Sequence, residues 1–200
     1  KNDVYRLLTS SGRLLRPYNF PRRTPGRGCG VYTAECGVKV GVINLCGRIF
    51  MDPNLVAASP FDAVEEALAT TGAEAPITIV DLHAEATSEK QALGWYLNGR
   101  VSAVIGTHTH VQTADERILS GGTAYITDLG MTGPHESVIG RDIAGVLFRF
   151  ETQMHAPFTV ASGDVRICGA VVTLDPATGK ASAIERVQLS VETDGGDGDE

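Results

Sequence analysis

Three apolar runs rich in β-branched residues, "VKVGVINLCGRIF" at 38–50, "PITIVDLH" at 76–83 and "VSAVIG" at 101–106, are separated by stretches of helical character. Near-continuous apolar strands that alternate with helices require a sheet buried on both faces, which is the signature of an α/β fold. The first intervening helix is written plainly in "SPFDAVEEALATTG", with Ser59 as N-cap, Pro60 at the first helical position, acids in the first turn and Gly72 at the end. The second is "SEKQALGWYL", where Ser88 and Gln91 stand at capping-box spacing.

The flanking segments extend this pattern. "KNDVYRLL", from Lys1 onward, reads as the middle of a helix, and residues 12–30, with three prolines and four glycines among arginines, read as a long irregular loop. A further strand is expected at 123–130 and a helix at about 141–152, where Ile143, Val146, Leu147 and Phe150 recur at helical spacing. "VRICGAVVTLD" and "ASAIERVQLS" flank "PATGK" and predict an antiparallel hairpin. Residues 1–190 are expected to form the C-terminal portion of a single domain. Residues 191–200 are expected to be a disordered acidic tail, because they carry five acids and almost nothing to bury.

Without those five acids the formal charge of −7 falls to −2, while residues 1–30 hold seven basic side chains against Asp3. Such a basic stretch can meet a phosphate or a nucleic acid, although a solvated loop explains it as well. No run of 18 apolar residues and no signal-peptide pattern is present, so a soluble cytoplasmic protein without membrane contact is expected. Cys29, Cys36, Cys46 and Cys168 show no CxxC spacing and read as buried free thiols. GxSxG, GxxxxGK[ST], HExxH and GxGxxG are all absent, which disfavours a nucleophile-elbow hydrolase, a P-loop enzyme, a zincin and a dinucleotide site.

Ligands of open α/β sheets gather beyond the carboxyl ends of the strands. Three of the five histidines are there: His83 closes "ITIVDLH", and His108 and His110 follow "SAVIG" in "GTHTH". Along a regular strand an HxH pair directs both rings to one side, which suits one metal ion or two adjacent ones. An ordinary hydrogen-bonded role is the alternative for each. Asp81 shares the alternation of His83, Glu85 and Glu89 are candidates to orient imidazole N–H groups, and Asp115 and Asp128 lie after strands. His135 reads as a loop residue that is exposed or lines the site, and His155 as a solvated cation. Asn19, Arg48 and Thr109 are candidate substrate contacts; Asn19 can equally close a turn, and Arg48 can equally pair with a carboxylate.

The loops also carry a resemblance. "DLHAEATSEKQALGWYLNGRVSAVIGTHTHVQTADERIL" and "GTAYITDLGMTGP", preceded in order by "RPYNFP", "TPGRG" and "INLCGRIF", closely resemble the YmdB-like family of binuclear metallophosphoesterases over about residues 1–187. That resemblance implies a calcineurin-like sandwich of two mixed sheets flanked by helices, here lacking the N-terminal strands and helices. It implies two metal ions, iron or manganese before zinc or magnesium, with His83 and His108 on one and His110 on the other. The implied reaction is hydrolysis of 2′,3′-cyclic nucleotides, a small-molecule partner beside which RNA is a second candidate, in a homo-oligomer. Two metals about 3.5–4 Å apart activate a water and stabilise charge on the phosphate. The family's remaining ligands, an aspartate, a Glu-Asn pair and an Asn-His pair with the proton-donor histidine, have no counterpart here and are expected upstream of Lys1. The chain is therefore expected to be N-terminally truncated, to hold half of the metal site and to be inactive alone. A non-catalytic nucleotide- or RNA-binding regulator is the competing expectation, and a phosphomonoesterase or nuclease on the same metal core is the other.

Overall fold

The β-branched runs become the centre of a six-stranded sheet in the computed structural model, which describes residues 2–72 and 74–191. In chain order the elements are α1 (Asn2–Ser10), β1 (Cys29–Thr33), β2 (Lys39–Cys46), α2 (Pro60–Thr71), β3 (Ile77–His83), α3 (Thr87–Tyr96) and β4 (Ala103–Thr107). They continue with β5 (Arg117–Ile118), β6 (Ala124–Ile126), β7 (Gly133–Glu136), α4 (Ile143–Thr152), β8 (Gly163–Leu174) and β9 (Ala181–Ser190). The large sheet has the order β1-β2-β3-β4-β6-β5. Its four central strands are parallel, and the two edges are antiparallel.

Alternation along the strands sorts side chains to two different coverings. Ile43, Leu45, Val80, Leu82 and Val104 pack under Val64 and Ala67 of α2, Leu93 of α3 and Leu97, which caps that helix. Each fully buried aliphatic side chain contributes about 1.5–3 kcal/mol. The other face meets the second sheet, β7-β8-β9, through Ala103, Ala124 and Ala181, with Ile79, Val172, Leu174 and Ile184 around them. Alanines at the contact let the two sheets approach closely. The result is the expected two-sheet α/β architecture, with helices on one side of the large sheet. The smaller sheet is antiparallel throughout rather than mixed, because a tight turn at 175–180 reverses the chain between β8 and β9.

Several local expectations change. The helix expected from Lys1 is described from Asn2, and Lys1 itself lies outside the described residues, as does the acidic tail from residue 192. The irregular stretch at 12–30 ends in strand, since Cys29 and Gly30 already pair with Ile43 and Val42. Helix α3 begins at Thr87 with Ala86 as an N-cap that makes no side-chain bond, so Ser88 does not cap it. Helix α4 shows the expected period, but only Val146 is buried and Phe150 is 73% exposed. All four cysteines are free, yet Cys46 is buried while Cys36 is exposed. Among the described residues, no helix is long and apolar enough to cross a membrane.

Gly106 is required where β4 meets β6. A Cβ there would lie 1.7 Å from the Thr127 carbonyl oxygen, part of the backbone. Gly106→Ala is expected to cost at least about 2 kcal/mol through overpacking. Urea unfolding measures it, and an unchanged midpoint would contradict this close approach.

Candidate active site at the ends of β3 and β4

Register places the site. Cys46, His83 and Thr107 stand side by side on three adjacent parallel strands, so the loops after β2, β3 and β4 leave the sheet at one level. The loop after β4 then departs from strand geometry at once, with φ of 110° at His108 and 68° at His110. Non-glycine residues rarely adopt such values, and strain of this kind collects at functional sites. It also cancels the simple alternation of an HxH pair, and the two rings diverge.

His83 and His108 are brought together. His83 Nε2 and His108 Nδ1 are 3.0 Å apart, and the rings meet edge to face at 4.6 Å between centroids. The opposite nitrogen of His108 reaches Glu85 Oε2 at 3.2 Å, as expected of an acid that orients imidazole. His110 is held apart, its Nδ1 2.9 Å from the Ile139 carbonyl oxygen.

A polar line behind His83 decides its tautomer. Asn44 Nδ2 donates to Asp81 at 2.7 Å, and Thr107 Oγ1 donates to the other Asp81 oxygen at 3.3 Å. With its single proton directed at Asp81, Thr107 can only accept from His83 Nδ1, 3.1 Å away. That bond pattern assigns the ring proton to Nδ1 and leaves the lone pair of Nε2 facing His108. Burial, followed by the neighbouring His108, lowers the His83 pKa from 6.5 and favours the neutral ring. Burial raises that of Asp81 against the two bonds it accepts.

The loop that carries the histidines rests on a charge pair. Lys90 Nζ and Asp128 Oδ2 are 2.8 Å apart, and both side chains are only 1% exposed. The same carboxylate oxygen accepts from Thr109 N at 3.0 Å and Thr109 Oγ1 at 2.8 Å, while Oδ1 accepts from Gly130 N. Burial raises the Asp128 pKa, but bonds from Lys90, Gly130 and Thr109 outweigh it and hold the carboxyl below its ordinary 3.8. In the sequence Asp128 shows only as a strand-end acid, and Lys90 does not stand out at all.

The other candidates fall into place around this. Thr109 is spent on Asp128, so it positions the loop. Asn19 is corrected from a substrate contact to a structural anchor: it is 3% exposed, donates to the Cys46 and Ala58 carbonyls and accepts from Cys46 N. The Arg48 side chain is exposed, and its backbone N–H donates to Glu89, which also receives Ile49 N. Glu89 thus secures the loop after β2 instead of orienting an imidazole. Asp115 accepts from Thr113, Thr127 Oγ1 and Thr127 N, away from the histidines. His135 is tied to the Gly133 carbonyl and lies 3.6 Å from Cys168 Sγ. His155 is exposed. In the basic segment, Arg22 pairs with Glu66 and Arg16 donates to the Pro17 and Thr24 carbonyls.

Among the described residues no three histidine, cysteine, aspartate or glutamate side chains form a metal-binding group. The His83–His108 pair nevertheless fits one ion. Nitrogens bound at about 2.0–2.1 Å in adjacent positions are separated by about 3 Å, the spacing these two already have.

The fold and these strand-end histidines define a YmdB-like protein: that family matches residues 1–187, and the chain belongs to it. Its relatives include the 2′,3′-cyclic-nucleotide 2′-phosphodiesterase of Bacillus subtilis (strain 168), 47% identical over 190 residues that cover 95% of this chain and 70% of the relative. The crystal structure of a protein from Thermus thermophilus, 40% identical, aligns at a TM-score of 0.86 over 95% of this chain and 72% of that one. A novel phosphatase from Mycoplasma pneumoniae, 31% identical, aligns at 0.86 over 95% and 68%. The chain spans 63% to 70% of the length of the curated relatives it matches.

Lys90→Met is expected to cost about 3–5 kcal/mol, because it strands a buried carboxylate. Lys90→Met with Asp128→Leu should recover part of that loss in a double-mutant cycle by urea unfolding. Full additivity of the two changes would contradict the pairing. Because the folded pKa of Asp128 is depressed, its contribution is complete above the ordinary value of 3.8 and disappears as pH falls through the lower folded value. Acid unfolding of Asp128→Asn should therefore be shallower in that window than that of the parent.

Proposed function

We propose that this chain carries the histidine part of a metal-dependent phosphodiesterase centre that hydrolyses 2′,3′-cyclic nucleotides. The observation that carries the reading is the His83–His108 pair, converged at ligand spacing at the ends of two parallel strands. The named activity of the 47% identical relative supports the substrate class.

His83 and His108 would hold one ion and His110 a second, with iron or manganese the candidates. A bound ion supplies Lewis acidity toward phosphate oxygens and a water of lowered pKa. The protein residues make that arrangement available beforehand. Thr107 and Asp81 keep the His83 proton on Nδ1 and its lone pair on Nε2. Glu85 orients His108, and the Lys90–Asp128–Thr109 cluster keeps the strained loop in place. Hydrolysis breaks the P–O2′ bond: hydroxyl adds to phosphorus, a proton goes to O2′, and the product is the 3′-monophosphate.

His83→Ala and His108→Ala in the manganese- or iron-loaded full-length protein are each expected to lower kcat/KM for 2′,3′-cyclic AMP about 100-fold or more, with the circular dichroism spectrum retained. Parental turnover by either variant would refute the assignment. Faster turnover of p-nitrophenyl phosphate than of bis(p-nitrophenyl) phosphate would move the activity to monoesters.

A further inference from the structure

Ile139 belongs to two places at once. Its carbonyl oxygen holds His110, and its side chain lines a cavity of about 500 Å³ shared with Val146, Phe150, Phe158, Arg141 and Arg149. It does so at φ 48°, an outlier for a β-branched residue, so the backbone that joins cavity and histidine is strained.

The lining is unusual for a surface hollow. The Arg141 and Arg149 guanidinium carbons lie 3.6 Å and 4.7 Å from the centroid of one ring, Phe158. Among the described residues neither arginine joins an ion pair, so both guanidinium groups are available to an anion. Two like charges gathered around one aromatic ring repel, and an anion that reaches both relieves the repulsion. Guanidinium groups match phosphate oxygens with paired N–H donors and stack on planar rings. Beside them Phe150, 73% exposed, and Ile139, 49% exposed, offer an apolar wall. A cavity of this size takes a nucleoside with one phosphate.

We infer that this cavity is a subsite for the nucleotide that precedes the cyclic end of the substrate, with Arg141 and Arg149 on its connecting phosphate and its base against the Phe150–Ile139 wall. The inference rests on the proposed phosphodiesterase reading and sharpens it: the favoured substrate is a short ribonucleotide chain that ends in a 2′,3′-cyclic phosphate. A mononucleotide has no second phosphate to reach the arginines.

The test compares 2′,3′-cyclic AMP with the dinucleotide ApA carrying a terminal 2′,3′-cyclic phosphate, on the manganese-loaded full-length protein, which is the parent of the variants below. The parent should show a kcat/KM at least tenfold higher for the dinucleotide, mainly through KM. In Arg141→Gln and Arg149→Gln the ratio between the two substrates should fall about tenfold, toward unity. A ratio near one in the parent, or an undiminished ratio in both variants, overturns the subsite and leaves the phosphodiesterase reading standing. If the parent hydrolyses neither substrate, that reading fails, and calorimetry with ApA 3′-phosphate decides the subsite separately. Binding that weakens about tenfold in either variant sustains it, and binding equal to that of the parent, or none, ends it.

Discussion

The arrangement depends on a lysine and an aspartate that neither helix nor strand formation requires. Lys90 comes from the first turn of α3 and Asp128 from the chain leaving β6, and together they sit at the bottom of the loop that follows β4. Their desolvation is costly, and an isolated pair of this kind is often no more stable than apolar residues of the same volume. The cost is offset because one carboxylate also receives two donors from Thr109 and one from Gly130. What the pair provides is a fixed path for a backbone with two residues at positive φ. Apolar replacements would fill the space without directing His108 toward His83.

The same helix turn serves the neighbouring loop. Glu89 binds the backbone N–H groups of Arg48 and Ile49, so consecutive residues of α3 hold the loops after β2 and β4 in register. Asn19 closes the third side by clamping Cys46 to Ala58. Loops above a parallel sheet are commonly mobile. Here three buried polar side chains, Asn19, Glu89 and Lys90, each bonded to backbone or to a charge, remove that freedom around the histidines.

How much of this is legible in the sequence follows from range. Strands β2, β3 and β4 and helix α2 announce themselves through local period and caps, and the HxH pair through its position after a strand. β1, β5 and β7 are two to five residues long, at sheet edges or beside glycines and prolines, and have too few residues to show a period. Ser88 and Gln91 match a capping pattern, but the first turn of α3 is recruited by loops distant in sequence. Lys90 and Asp128 are 38 residues apart, Asn19 and Cys46 27 apart, and no local rule reports such partnerships. The period of α4 is visible in its residues, whereas what covers its apolar side is a tertiary property. Convergence of His83 with His108, and the separation of His110, depend on φ values that residue type alone does not dictate.

The line Asn44–Asp81–Thr107–His83 crosses three strands on the face turned away from the helices. It converts residues scattered from position 44 to position 107 into one conducting path for hydrogen-bond polarity. The sheet therefore offers a dial for the basicity of His83 Nε2 that lies away from the strand ends. An exchange of a neutral for a charged side chain on β2 changes how firmly Asp81 holds the Thr107 proton, and hence how much electron density reaches His83 Nε2. The polarity at the strand ends can be retuned from the sheet's interior while the side chains of the loops above stay as they are.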